Sequence, residues 1–258
     1  MDGLPEILQW LPTGAFGFLL VVARVGSALL TGPALGENEI PPTVRAALAA
    51  LLSILVYPLL QDRLPPPPDS IAVLAGLIVV EVLVGAWIGF MARVLVAALS
   101  MAGSIVSFLI GLSSVLQIDP SVGSQVAALQ RFMGLAAIAL LFSSGLYILP
   151  IQAIIGSYDA VPPGRVFDVG GAAELVIRAI TDSFGLSLRL AAPFVVTFMV
   201  WQAVMGFVSL LVPNIQVHVV SAPAQILGGL ALLAVACSMM FGTWSAGTLK
   251  AFSSLPGL

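Results

Sequence analysis

Five charged side chains sit in or beside apolar runs, where charge is expensive: Arg24, Glu81, Arg93, Arg131 and Arg189. At the centre of a membrane-spanning helix each would cost about 2.5–3.5 kcal/mol on insertion scales. Such residues snorkel to an interface, pair with a neighbouring helix, or face another subunit or a wet interior. Glu81 and Arg93 lie about 18 Å apart along a helix and cannot pair within one. A second polar set lies in the longest uncharged stretch. Residues 190 to 249 hold no Asp, Glu, Lys or Arg, yet Pro213 to Gln225 carries Pro213, Pro223, the amides of Asn214, Gln216 and Gln225, and His218. The stretch is long enough for two spans of about 20 residues each. Unpaired amides cost several kcal/mol in lipid, so the join must lie at a water interface, inside other protein, or along a wet cavity.

Neither set forms a catalytic constellation. His218 and Cys237 are the only residues of their types and fall in separate segments, so they make neither a triad nor a zinc site. No phosphate-binding loop and no Gly-x-Ser-x-Gly occurs. An intramembrane hydrolase needs a Ser/His or Asp/Asp pair across helices, and Glu81 is the only acid at membrane depth. His218 reads as a hydrogen-bonded structural group and Cys237 as a small buried hydrophobe. The expectation is a protein that is not an enzyme and takes no cofactor or metal.

The elements that must position these groups are apolar helices. The chain has 258 residues, 60% hydrophobic and 8% charged, with a mean hydropathy of +1.13. Nine Lys and Arg with twelve Asp and Glu cannot solvate a globule of this size, since soluble domains carry roughly 25% charge. A formal net charge of -3 gives no basic stripe for nucleic acid. The fold class is therefore an all-α, multi-pass membrane protein. Helices are expected at about 13–35, 42–61, 71–99, 100–118, 126–156, 176–212 and 215–250, in a single domain spanning 1–258. Asp2 and Glu6, with no Lys or Arg near them, argue for a retained first helix instead of a cleaved signal. The linkers are a turn at 36–42 whose second proline starts the next helix, the stiff Pro65–Pro68 run, and a polar loop at 157–171. The last two mix charge sign, Asp62, Arg63 and Asp69 around the one and Asp159, Arg165 and Asp168 in the other, so loop charge does not set the orientation.

Gly103, Ser107 and Gly111 recur every four residues, with Ser100, Ser104 and Ser114 close to the same face. Such a stripe lets helix backbones approach closely; a narrow polar lining is the alternative. Gln117 to Ser124 follows with Asp119-Pro120, a turn signal in the middle of an apolar half. A polar loop flanked by glycine-rich helix is where a gate would lie.

The order of these features resembles the FliR family of flagellar biosynthetic proteins and its virulence-secretion relatives, which are subunits of the bacterial type III export gate. The resemblance runs through Ala23-Arg24-Val25, Pro33, Ile40-Pro41 and Val44-Arg45, then Glu81 with Gly85 and Gly89, then Ala102-Gly103, Gly111-Leu112-Ser113 and Asp119-Pro120. It continues through Leu141-Phe142 to Gly145, Ser157-Tyr158, Val161-Pro162, Leu190 to Pro193, Gly206, Val212-Pro213, Ser221, Pro223 and Ile226 to Gly229. The chain departs from the pattern at Ser104, Leu109, Leu211 to Asn214, and His218.

The resemblance implies bent, proline-broken helical hairpins that assemble with FliP-like and FliQ-like subunits into a helical channel for unfolded export substrates. It further implies association with the switch and nonamer-ring export proteins, contact with membrane lipid, no nucleic acid, and a place in the inner membrane at the flagellar basal body. It maps a plug to Gly111 through Gly123, so the gate set becomes Gly103, Ser107, Gly111, Leu112, Ser113, Ser114, Asp119 and Pro120. The buried-polar or inter-subunit set is Arg24, Glu81, Arg93, Arg131, Arg189, Asn214, Gln216, His218 and Gln225. The competing readings are a virulence secretion gate and a small-solute secondary transporter with a broken helix at Pro213 to Gln225. The transporter reading lacks a matching broken pair in the first half and a buried acid to couple ions.

Overall fold

A computed structural model describes residues 4–34, 36, 40–112, 127–165, 168–211 and 217–253, with side chains described outside 4–12, 127 and 217–220. Among these residues there are eight α-helices and no strand: α1 (Leu4–Thr31), α2 (Pro42–Leu60), α3 (Ile71–Val96), α4 (Ala98–Leu109), α5 (Ala127–Ser143), α6 (Ile148–Ala160), α7 (Val169–Leu211) and α8 (Val217–Phe252). The apolar content is spread around most helices, as it must be for elements surrounded by lipid or other helices. Five helical stretches are long and apolar enough to cross a membrane, and α5 with α6 makes a sixth if that broken pair is one span. The all-α, multi-pass membrane architecture stands.

The helix boundaries follow local chemistry. Pro42 opens α2 at the first helical position, where its missing N–H costs nothing. A 3-10 turn at Gln61–Arg63 leads into the non-helical proline run. Ala97 separates α3 from α4, so the join expected near residue 99 falls slightly earlier. Four expectations need correction. The first helix begins at Leu4, not near residue 13. The single helix expected over 126–156 is two, because Gly145 adopts φ 74, a left-handed value that glycine takes without a Cβ clash. The loop expected at 157–171 is shorter: α6 runs to Ala160 and α7 starts at Val169, where the Asp168 carboxylate accepts the Gly170 N–H at 3.1 Å. The polar join expected at Pro213 to Gln225 is also shorter, since α8 starts at Val217 and carries Pro223 inside it.

By internal packing the chain divides into two compact units. Unit 1 is Met1–Leu95, Gly145–Ile180 and Lys250–Leu258; unit 2 is Val96–Ser144 and Thr181–Leu249. In unit 1, α1 packs on α2 and α6; in unit 2, α4 packs on α5.

Candidate functional site

The buried polar centre of unit 1 is assembled from α1, α3 and the end of α6. Arg24 and Glu81 are both 0% exposed, so the chain does hold a buried acid, against the expectation of none, and an arginine neutralises it. Arg24 Nε donates to Glu81 Oε2 at 2.6 Å and Nη2 to Glu81 Oε1 at 3.0 Å, a two-pronged ion pair. Nη1 donates to Ser157 Oγ at 3.2 Å, and Nη2 also reaches the Val161 carbonyl at 2.9 Å. The Tyr158 ring stacks 4.0 Å from the guanidinium carbon, a cation–π contact. Ser157 in turn donates to Ile154 O at 2.6 Å. Desolvating two ions is costly, and it is offset only when geometry is good and the remaining donors find acceptors. Here the planar fork of Arg24 is satisfied on each of its nitrogens, as a buried arginine requires.

Glycine spacing on α3 places the acid. Glu81, Gly85 and Gly89 follow at intervals of four and share one face. A Cβ at Gly85 would collide with Arg24 O and Ser27 Oγ, and one at Gly89 with Ala28 O and Thr31 Oγ1. The two backbones therefore touch, as small residues allow in membrane helix pairs. The Thr31 hydroxyl lies 2.8 Å from Ser27 O and 3.1 Å from Ala86 O on α3. The arrangement clamps three segments together. It offers no nucleophile–base pair, and no group of three His, Cys, Asp or Glu among the described residues could hold a metal.

Unit 2 is held by small residues and single polar contacts. Gly103 on α4 lies against Met133 and the Leu129 carbonyl of α5, and Ser107 is buried one turn further on. Gly111 takes φ 77 just beyond the end of α4. The amide of Gln225 on α8 donates to Leu109 O at 2.9 Å, satisfying one of the carbonyls a helix end leaves open. Gly229, one turn on, gives Ile110 its room. These groups border a cleft of about 120 Å³ lined also by Phe194, Thr197, Phe198 and Trp201. Trp244, fully buried, donates from Nε1 to Val96 O at 3.3 Å.

The structure thus brings together Arg24 and Glu81, and it sets Gln225 on the end of α4. It does not gather the other cations: Arg93 is half-buried in the last turn of α3, Arg131 is exposed on α5, and Arg189 is exposed on α7. Gly103 and Ser107 serve helix packing within unit 2; Leu112 is half-buried. Ser113, Ser114, Asp119, Pro120, Asn214 and Gln216 lie outside the described residues. His218 falls in the first turn of α8, with its side chain outside the description. Cys237 is half-buried. Residue-by-residue reading missed Ser157, Tyr158 and Val161 as partners of Arg24. Ser157-Tyr158 and Val161-Pro162 stood among the residues of the family resemblance, and a serine and a tyrosine close an otherwise apolar helix there, but neither signal tied them to Arg24.

Comparison with known proteins agrees in order and extent. The family model described as bacterial export proteins, family 1, matches residues 15–250. The flagellar biosynthetic protein FliR of Caulobacter vibrioides is 33% identical over 226 residues, 88% of this chain and 90% of that protein. FliR of Bacillus subtilis is 26% identical over 87% of each chain. The Yop proteins translocation protein T of Yersinia pestis is 23% identical over 86% of each. By this match over nearly its whole length the chain belongs to the bacterial export proteins, family 1.

Proposed function

We propose that this chain is a subunit of the flagellar type III protein export gate, in the inner membrane at the flagellar basal body. It acts there without catalysis, and its residues 1–258 serve as one export-gate module. The observation that supports the reading most is the length of exposed apolar helix. α7 has 43 residues, about 64 Å at 1.5 Å per residue, against a hydrocarbon thickness of about 30 Å. Only 6% of its most apolar part is buried within the chain. A helix twice as long as the bilayer is thick, with Ile180, Phe184 and Leu188 still exposed outside its uncharged stretch from 190, needs protein neighbours. FliP-like and FliQ-like helices supply them in this reading, and the switch and nonamer-ring proteins join the same apparatus. Gly111 to Gly123 forms the plug that closes the channel until unfolded substrate arrives.

Co-expression with the other export subunits, followed by detergent extraction, tests the assembly: the chain co-purifies with them and aggregates when expressed alone. A stable monomer that ignores them overturns the reading. For the plug, deleting Leu112 to Leu116 in the whole gate makes the membrane leaky to small ions; unchanged conductance removes that role. A virulence injector is the second reading, favoured by the Yersinia relative, but at 23% identity against 33% for the flagellar one it ranks lower.

A further inference from the structure

The end of α4 is held in place from α8, inside unit 2. Leu109 closes the helix, and its carbonyl is one of the acceptors that a helix end leaves open. The Gln225 amide donates to it at 2.9 Å. One turn further along α8, Gly229 is a notch for Ile110: a Cβ there would run into Ile110 Cγ2 and come within 2.6 Å of Ile110 Cβ. Gly111 then takes φ 77 and turns the chain off the α4 axis at once. Two contacts, both from α8, therefore fix where α4 stops and the direction in which the chain leaves it. Pro223, two residues before Gln225, deprives α8 of one backbone hydrogen bond, so these contacts start at a weak turn of that helix.

The end of α4 also has a second place to go. Leu109 and Ile110 border a cleft of about 120 Å³, shared with Phe194, Phe198 and Trp201 of α7 and Leu232 of α8. A closely packed core leaves a helix end one position; open space beside it allows another. The cleft also holds an unmet donor. Trp201 Nε1 is buried with no hydrogen-bond partner among the described residues, an arrangement that costs free energy inside protein. Leu109 O is an acceptor on the same cleft once Gln225 lets go. Exchanging one hydrogen bond for another keeps two positions close in free energy, which lets a modest push move the end of α4 from one to the other.

We infer that Gln225 and Gly229 are positioning residues of the gate: they latch the end of α4 in its closed place, and its release into the cleft, where Leu109 O accepts from Trp201 Nε1, opens the channel. The inference rests on the plug reading and gives control of the plug, whose root is the end of α4, to α8.

The test measures ion conductance of the purified whole gate in planar bilayers. Gln225→Met keeps the side-chain length and loses the donor; it raises the time spent open about tenfold, the equivalent of about 1.4 kcal/mol. Gly229→Ala displaces Ile110 and raises it too, and adding Ile110→Gly returns it towards the unaltered level. Trp201→Phe lowers the opening of the Gln225→Met gate. Trp244→Phe strips a bond of the same kind from Val96 O, next to the other end of α4, and leaves conductance unchanged. Gates that stay tight with Gln225→Met and with Gly229→Ala overturn the latch, while a leak on deleting Leu112 to Leu116 still upholds the plug. A leak from Trp244→Phe as large as that from Gln225→Met overturns the latch as well, since general loosening would then suffice. Opening indifferent to Trp201→Phe overturns the second position. If the deletion and the latch variants are all tight, the plug reading falls and the latch with it.

Discussion

Helices α1 and α7 are both apolar and both long enough to cross a bilayer, yet they are finished differently. Half of the most apolar part of α1 is buried inside the chain, against 6% for α7. α1 holds Arg24 in a closed set of partners from α3 and the end of α6. α7 leaves Asp182 and Arg189 outward. One region buries its apolar surface and its ion pair within the chain, and the other leaves most of its surface exposed. The difference teaches that a charge in an apolar helix is ambiguous until its surroundings are known: Arg24 braces the chain, while Arg189 stays exposed on it.

The sharpest way to break that contrast is to open the closed side. Glu81→Ala leaves Arg24 buried without its counter-ion, and the expected loss is about 3–5 kcal/mol. It should appear as near absence of folded chain in membranes, read by protease resistance; full resistance would contradict the bracing role. Replacing both partners, Arg24→Leu with Glu81→Leu, should be milder than either single change, because no lone ion remains. Next in size is Gly85→Val, which forces apart α1 and α3 and should cost about 1–3 kcal/mol, measured as a lower midpoint of thermal aggregation in detergent. Gln225→Ala strips the donor from Leu109 O, a loss of about 1–3 kcal/mol if water does not replace it; a drop in the same midpoint checks it. Smallest is Met199→Ala on the open face of α7. It should change the stability of the chain alone by less than about 0.5 kcal/mol and should instead weaken recovery of the assembled gate on co-purification.

Much of the fold was legible because membrane helices announce themselves by long apolar runs with few charges, bounded by prolines and glycines. The spans expected at 42–61 and 71–99, found at Pro42–Leu60 and Ile71–Val96, follow from that. What was less legible depended on single residues with weak signals. Gly145 splits a helix that periodicity continues across, and Pro223 sits inside a helix where a proline suggests a break. The site shows the same limit. Charge cost singled out Arg24 and Glu81, but sequence gives no pairing between residues with a whole helix between them. The Glu81, Gly85, Gly89 spacing was the best available clue, since it marks where a second backbone can come close. For Arg131 and Arg189 the sequence reasoning offered two fates, and their exposure turns both away from the interior of the chain.

The most direct test concerns the open helix. Spin labels placed one at a time at Ile177, Phe184, Met199 and Phe207, in a chain with Cys237 replaced by Ala, report local motion and access to lipid-soluble oxygen. Incorporation into the complete export assembly should immobilise labels along α7 and cut their oxygen access relative to the chain alone in a lipid disc. Labels that stay mobile and oxygen-accessible at all four positions in the assembled complex would contradict the account.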